Sequence, residues 1–252
     1  MIFDCHTHWG DCFQKRDGHD PTRWLEMFDG HGVTHAVVLP FAGLLDGGKI
    51  RVDNDDVLAV CSKSGGRMIP FCTVNSWFAD EAITEFERCL ASGFRGIKFH
   101  PWLQGQPVNS AGMDAICERA GAAGVPVIFH DGTPPYSLPS QMALLARRHP
   151  RTQFILGHCG LLEHWREAAE ALNAAENLWG CLCGPHAAGV AHLVEHCDRT
   201  RLLWGSDTGF NFADAIGYRL ELLDAVGIDD ALSRAILVEN PTRLLKIEES
   251  RR

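Results

Sequence analysis

The stretch Ile2-Phe3-Asp4-Cys5-His6-Thr7-His8 is a short apolar run that closes on His-x-His. In a strand, residues two apart lie on one side of the backbone. Both imidazoles would therefore leave the C-terminal end of such a strand pointing the same way, as two ligands of one metal do. With 13 histidines in 252 residues, random placement yields roughly 0.7 His-x-His pairs. The pair gains weight only because its punctuation recurs along the chain.

Four later segments repeat the form. Gly96-Ile97-Lys98-Phe99-His100-Pro101 carries Lys and His at alternate positions, and Pro126-Val127-Ile128-Phe129-His130-Asp131 ends its apolar run in His. Gln153-Phe154-Ile155-Leu156-Gly157-His158 ends in His, and Leu202-Leu203-Trp204-Gly205-Ser206-Asp207 ends in Asp. Short apolar runs of this kind are the signature of strands buried on both faces. Residues 35–39, 68–73 and 178–183 fit as three more strands with less polar ends.

Helical stretches separate these eight runs. Thr22–Gly30 follows Asp20-Pro21, a cap and first-turn proline, and Ala79–Ser92 stops at Gly93. Met113–Ala123 stops at Gly124, Ser140–Arg148 is closed by His149-Pro150, Leu161–Glu176 is rich in Ala and Glu, and Phe212–Val226 ends at Gly227. Strand and helix alternating every 25 to 35 residues or so is the pattern of parallel βα units. Eight units in this length predict a (β/α)8 TIM barrel, whose active site lies at the C-terminal strand ends. The His, Lys and Asp residues stand at those ends. An open doubly wound sheet would show a Gly-rich phosphate turn after its first strand, and His6-Thr7-His8-Trp9-Gly10 is not one.

The length suits one barrel domain spanning residues 1–252, and no linker or charge block divides it. Gly43–Gly48 and Thr133-Pro134-Pro135 read as loops. A net charge of −9 predicts no general attraction to nucleic acid or anionic membrane. No run approaches the roughly 18 apolar residues of a membrane span. Because the first strand starts at Ile2, no secretory leader is expected. Ten cysteines, most inside apolar segments such as those of Cys61, Cys72, Cys89 and Cys117, read as small reduced hydrophobes in a cytoplasmic protein.

A catalytic zinc site takes three protein ligands and keeps a position for water. His6 and His8 supply two ligands, His130 a third, and Asp207 a fourth or a base toward the bound water. This donor set suits zinc, and iron, manganese, cobalt or nickel also fit. Such a metal would bring the pKa of its water from 15.7 towards roughly 7.

In order and spacing these segments resemble the amidohydrolase superfamily, in its amidohydrolase-related (amidohydrolase 2) branch of metal-dependent barrels. The resemblance rests on Asp4–His8, Gly96–Pro101, His130, Gly157-His158-Cys159-Gly160 and Trp204–Asp207. It extends to Glu239–Leu245, which is similar to the terminal helix motif of that branch. It implies a divalent metal on His6, His8, His130 and Asp207, with His158 polarising substrate or activating water. One ion is favoured; two would follow if Lys98 were carbamylated, and otherwise Lys98 or His100 binds substrate or supports the ligands. The reaction implied is hydrolysis of a small organic amide, lactone or ester. The alternative is non-oxidative decarboxylation of an aromatic or unsaturated acid, whose enzymes often have longer chains. Homo-oligomers are common in the branch.

Trp9, Phe13, Trp102, Gln104, Tyr136, Phe210 and Asn211 are candidate pocket walls for a small, partly apolar substrate, and Arg16 or Arg51 could meet a carboxylate. Three rival readings carry less. His192-Leu193-Val194-Glu195-His196 matches a metalloprotease pattern, but its helix would lie outside the barrel. A barrel nuclease would need a basic surface, and a non-catalytic barrel would show a lost ligand.

Overall fold

The computed structural model describes residues 1–10, 20–210 and 214–247. Eight strands follow one another along the chain: β1 (Phe3–Trp9), β2 (His35–Pro40), β3 (Met68–Pro70), β4 (Ile97–Phe99), β5 (Val127–Phe129), β6 (Phe154–Leu156), β7 (Leu178–Cys181) and β8 (Leu202–Leu203). Every pairing is parallel, with β1 to β3 in one ladder and β4 to β8 in another. The ladders meet at two seams. At one, Cys72 bridges Ile97, and at the other Thr7 bridges Thr208. Around the second seam the amide of Cys5 donates to Trp204 (3.0 Å) and that of Asp207 donates to His6 (2.8 Å). The architecture is a (β/α)8 barrel whose ladder is not continuous around the ring.

Alternation along the strands sorts the core into two layers. Val37, Leu39, Ile128, Ile155, Trp179 and Leu203 pack inside the barrel. Their neighbours Ala36, Val38, Val127, Phe129, Phe154 and Leu156 pack outward against the helices. By the same parity Lys98, flanked by outward Ile97 and Phe99, points inward and is fully buried. β1 departs from strict alternation. Its register against β2 shifts between Asp4 and Thr7, a bulge that puts successive side chains on one side. Phe3 and Cys5 thus belong to the inner core, and so do the positions of His6 and His8 beyond the bulge.

The helices are α1 (Pro21–Gly30), α2 (Ala42–Leu45), α3 (Ile50–Ser62), α4 (Ala79–Ala91), α5 (Ala111–Ala123), α6 (Pro139–Arg148), α7 (Trp165–Ala174), α8 (Ala187–His196), α9 (Ala215–Val226), α10 (Asp230–Arg234) and α11 (Asn240–Leu245). The expected caps are in place: Asp20 accepts from the Thr22 amide, and α5 and α9 end on left-handed Gly124 and Gly227. One expectation needs correction, and one helix was not expected. The Leu161–Glu176 stretch is helical only from Trp165, because residues 158–161 turn sharply, with positive φ at Cys159, Gly160 and Leu161. Helix α3 was not legible after Gly47-Gly48, since it buries Asp53 and Asn54 where a periodic pattern needs apolar residues. Asp53 accepts from the Gly43 amide (2.8 Å), and Asn54 pairs with the Thr73 backbone through both its amide atoms (2.9 and 3.0 Å).

The seam between β1 and β8 is held by Asp4. Its carboxylate accepts from the amides of His6 (3.1 Å) and Ser206 (3.0 Å) and from the Ser206 hydroxyl (2.5 Å), with no exposure to solvent. Asp4→Ala leaves two buried amides without an acceptor and the Ser206 hydroxyl with only Thr208 Oγ1, so unfolding in urea should show a loss of about 3 kcal/mol. A loss under about 1 kcal/mol would mean that the seam is held elsewhere.

Candidate metal centre and cavity

His6 and His8 leave the end of β1 with their rings 5.1 Å apart, and their Nε2 atoms lie 3.2 Å from each other. Asp207 Oδ1 stands 3.6 Å from His6 Nε2 and 3.4 Å from His8 Nε2. The three ligand atoms all fall within 4.8 Å of one another. Two glycines permit this packing around His6. A Cβ on Gly157 would sit 3.0 Å from the His6 ring and 2.3 Å from a backbone oxygen, and one on Gly205 would sit 2.8 Å from the His6 Cβ. Asp207 itself takes a left-handed backbone (φ 59°), unusual for a non-glycine residue.

Lys98 reaches the same point from β4, its Nζ 3.1 Å from His6 Nε2. Burial pushes its ammonium down to about 8, against the pull of Asp207. Burial also holds the imidazoles of His6, His130 and His158 well below their ordinary range, with neighbouring Lys98 and histidines adding to the effect. His8 is lowered by burial too, although Asp207 opposes it. His100 is shifted in the same direction, first by burial and then by His130. All five rings are therefore neutral near pH 7, which is the ligand form of imidazole.

Above this floor lies a cavity of about 330 Å³ lined on its polar side by His8, His100, His130, Thr133, His158 and Asp207. Phe41, Trp102 and Phe210 form the apolar side. His130 enters the cavity without joining the three-atom group: its Nε2 is 3.2 Å from Thr133 Oγ1. Its ring stacks on His100 (3.8 Å, 11°) and meets His158 edge-on (4.4 Å). The His158 backbone is placed by Asp131, whose buried carboxylate accepts from the amides of His158 (2.7 Å) and Gly160 (2.6 Å). Burial raises Asp131 to about 6 and Asp4 to about 7. Burial likewise pushes the thiols of Cys181 and Cys183 up.

The donors fit a divalent cation. Asp207 Oδ1 and His158 Nε2 are both buried without a hydrogen-bond partner, and such atoms are costly unless a ligand meets them. Two imidazole nitrogens and one carboxylate within reach of a single point is a donor set for zinc or manganese.

Trp102 lines the cavity as expected, at its half-exposed rim. Other expected residues fall elsewhere. Tyr136 follows Thr133 in a turn but is not among the lining residues, Trp9 packs on Trp24, and Gln104 bonds the backbone of His100 and Val74. Arg51 lines a separate cavity of about 320 Å³ beside α3 and α4. Phe13, Arg16 and Asn211 lie outside the described residues. His192 and His196 pair on α8, next to Trp165 and away from the centre. Reading the sequence had not singled out Phe41 or Thr133 at the cavity; both follow strand ends, which is the one signal that could have found them.

The amidohydrolase family profile matches residues 3–247, and the chain belongs to that family, in its amidohydrolase-2 branch. No curated protein matches the sequence. Solved structures with the same fold include 2,6-dihydroxybenzoate decarboxylase from Rhizobium, 19% identical over 98% of this chain and 99% of that one, with TM-score 0.76. A probable 2-pyrone-4,6-dicarboxylic acid hydrolase from Acinetobacter baumannii is 15% identical over 97% and 99% of the two chains, with TM-score 0.72. A dihydroxybenzoic acid decarboxylase from Polaromonas sp. JS666, with bound manganese and 2-nitroresorcinol, is 16% identical over 99% and 98%, with TM-score 0.76. Coverage is as complete for the decarboxylases as for the hydrolase, so chain length does not separate the two reactions.

Replacing His8 or Asp207 by alanine should weaken zinc or manganese binding by more than about a hundredfold, since each change removes a donor outright. Titration calorimetry on the metal-stripped full chain measures this. His192→Ala should leave the affinity unchanged.

Proposed function

We propose that the chain is a metal-dependent hydrolase of small, flat, uncharged esters, lactones or amides. The observation that carries this reading is the convergence of His6, His8 and Asp207 at the floor of an aromatic-walled cavity. His6, His8 and Asp207 hold the cation, and His130 stands beside them in the cavity wall. A divalent cation there supplies Lewis acidity and acidifies water near neutral pH. Asp207 and His158, each with an unpartnered buried atom, are the groups that accept and return the proton. Phe41 and Phe210, in edge contact at 5.0 Å, exclude bulk water and give a planar substrate an apolar wall. No lysine or arginine is among the described lining residues, which suits an uncharged substrate.

A second reading, decarboxylation of an aromatic acid, is supported by the decarboxylases among the structures that share this fold. A substrate carboxylate would then pair with the cation, and a proton would pass to the ring carbon as CO2 leaves. For either reading the buried thiols, reduced throughout the described residues, suit the cytoplasm. Among the described residues no helix is long and apolar enough to cross a membrane.

The test runs neutral lactones and aryl esters by pH-stat beside CO2 release from hydroxybenzoates. Acid release that a chelator abolishes and zinc or manganese restores is the expected result. CO2 release without hydrolysis assigns the decarboxylase, and turnover indifferent to chelation removes both. Asp207→Asn should lower kcat by about a hundredfold or more if its carboxylate moves the proton.

A further inference from the structure

The Cys183 thiol lies behind the cavity, just beyond the end of β7, beside the Cys181 thiol, and touches three further groups. Its Sγ is 2.8 Å from the Gly157 carbonyl, 3.2 Å from His158 Nδ1 and 3.5 Å from His6 Nδ1. A carbonyl only accepts. Because His6 Nδ1 is 3.0 Å from that same carbonyl, it carries a proton, and His6 Nε2 is bare toward the metal centre. The two lone pairs of Gly157 are thereby engaged by His6 Nδ1–H and the Cys183 S–H. With its single proton directed at Gly157, the sulfur presents only a lone pair to His158 Nδ1. That contact is a hydrogen bond only if Nδ1 is the donor. A neutral imidazole has one N–H, so His158 Nε2 is then bare. It is the His158 atom that is buried without a partner, in a residue lining the cavity.

We propose that Cys183 is a positioning residue that fixes His158 in the Nδ1–H tautomer, so that an unprotonated Nε2 faces the cavity. Resting on the hydrolase reading above, this makes His158 a proton acceptor at the start of the reaction. A water O–H bond breaks as an N–H bond forms at Nε2 and the water oxygen bonds to the substrate carbonyl carbon, while the Nδ1 proton stays on nitrogen, hydrogen-bonded to the sulfur. As the C–O or C–N bond to the leaving group breaks, the imidazolium gives that group the proton. His6, Cys181 and Cys183 also bring three ligand atoms within 4.8 Å, as a soft-metal site would. The engagement of His6 Nδ1 and the Cys183 thiol by Gly157 accounts for that grouping without a metal.

Long-range proton–nitrogen correlation spectra of the 15N-histidine-labelled full chain, zinc-free and zinc-loaded, read the tautomer without any turnover. His158→Gln assigns the signals. Wild type and Cys183→Ser, which keeps an acceptor, should show a protonated Nδ1 and a pyridine-like Nε2. Cys183→Ala should shift the tautomer ratio towards Nε2–H by roughly fivefold, the effect of one net hydrogen bond. Cys181→Ala should leave it alone, and the unchanged His35 and His149 signals report the fold. A wild-type proton on Nε2, or a Cys183→Ala ratio equal to wild type, overturns the proposal. Should Cys183→Ala fail to fold, the wild-type spectrum decides. The hydrolase reading stands or falls separately, on the lactone and CO2 assays.

Discussion

A buried carboxylate joins the two ends of this barrel. Asp4 sits on β1 and its hydroxyl and amide partner Ser206 just after β8, 202 residues later in the chain. The Ser206 hydroxyl also meets Thr208 Oγ1 at 2.8 Å. No water reaches the carboxylate, so the His6 and Ser206 amides have no other acceptor, and each would cost about 1–3 kcal/mol if left unmet. The contact therefore fixes the register of β1 against the segment after β8. That register is what sets His6 and His8 opposite Asp207. The Asp207 amide bonded to the His6 carbonyl (2.8 Å) repeats the tie one step nearer the centre. Structure and site share one seam, which the bridge of Thr7 to Thr208 and the His8 amide bonded to the Thr208 carbonyl (2.6 Å) extend.

The barrel was legible because burial on both faces forces short, nearly unbroken apolar runs, and all eight were visible as such. Polar residues at their ends stood out against that background. His6, His8 and Asp207 could be grouped from position alone, since parallel strands deliver their C-terminal ends to one face of a barrel. What stayed hidden depended on contacts that no periodicity records. The β1 bulge changes which residues face inward without changing composition. Helix α3 turns Asp53 and Asn54 inward to bind loops. His130 belongs to the cavity, yet its ring is stacked on His100 and bonded to Thr133. Cys183 read as one more small hydrophobe, because its meaning lies in the geometry of Gly157 and His158.

The electrostatics of the centre follow from crowding neutral bases together. Five imidazoles and Lys98 converge with one carboxylate, Asp207, in their midst. Two further buried acids nearby, Asp4 and Asp131, are engaged by backbone amides. Charging several of these bases at once would be prohibitive in so dry a place, so burial keeps the rings uncharged. Uncharged rings are ligands and proton acceptors. A divalent cation is the positive charge that such a floor can accept, because it meets lone pairs and a carboxylate in place of other cations.

The order of proton movements then bears on which reaction the site is built for. Hydrolysis begins by removing a proton from water and ends by giving one to the leaving group. Decarboxylation asks first for a proton donor at carbon. A His158 whose Nδ1–H is committed to Cys183 starts with an empty Nε2 on the cavity side, suited to the first sequence of events. To serve the second it would have to be loaded before substrate arrived, against a burial that holds the ring well below its ordinary range. In the proposed hydrolase the sulfur behind the histidine thus links a detail of packing just past β7 to the direction in which the first proton travels.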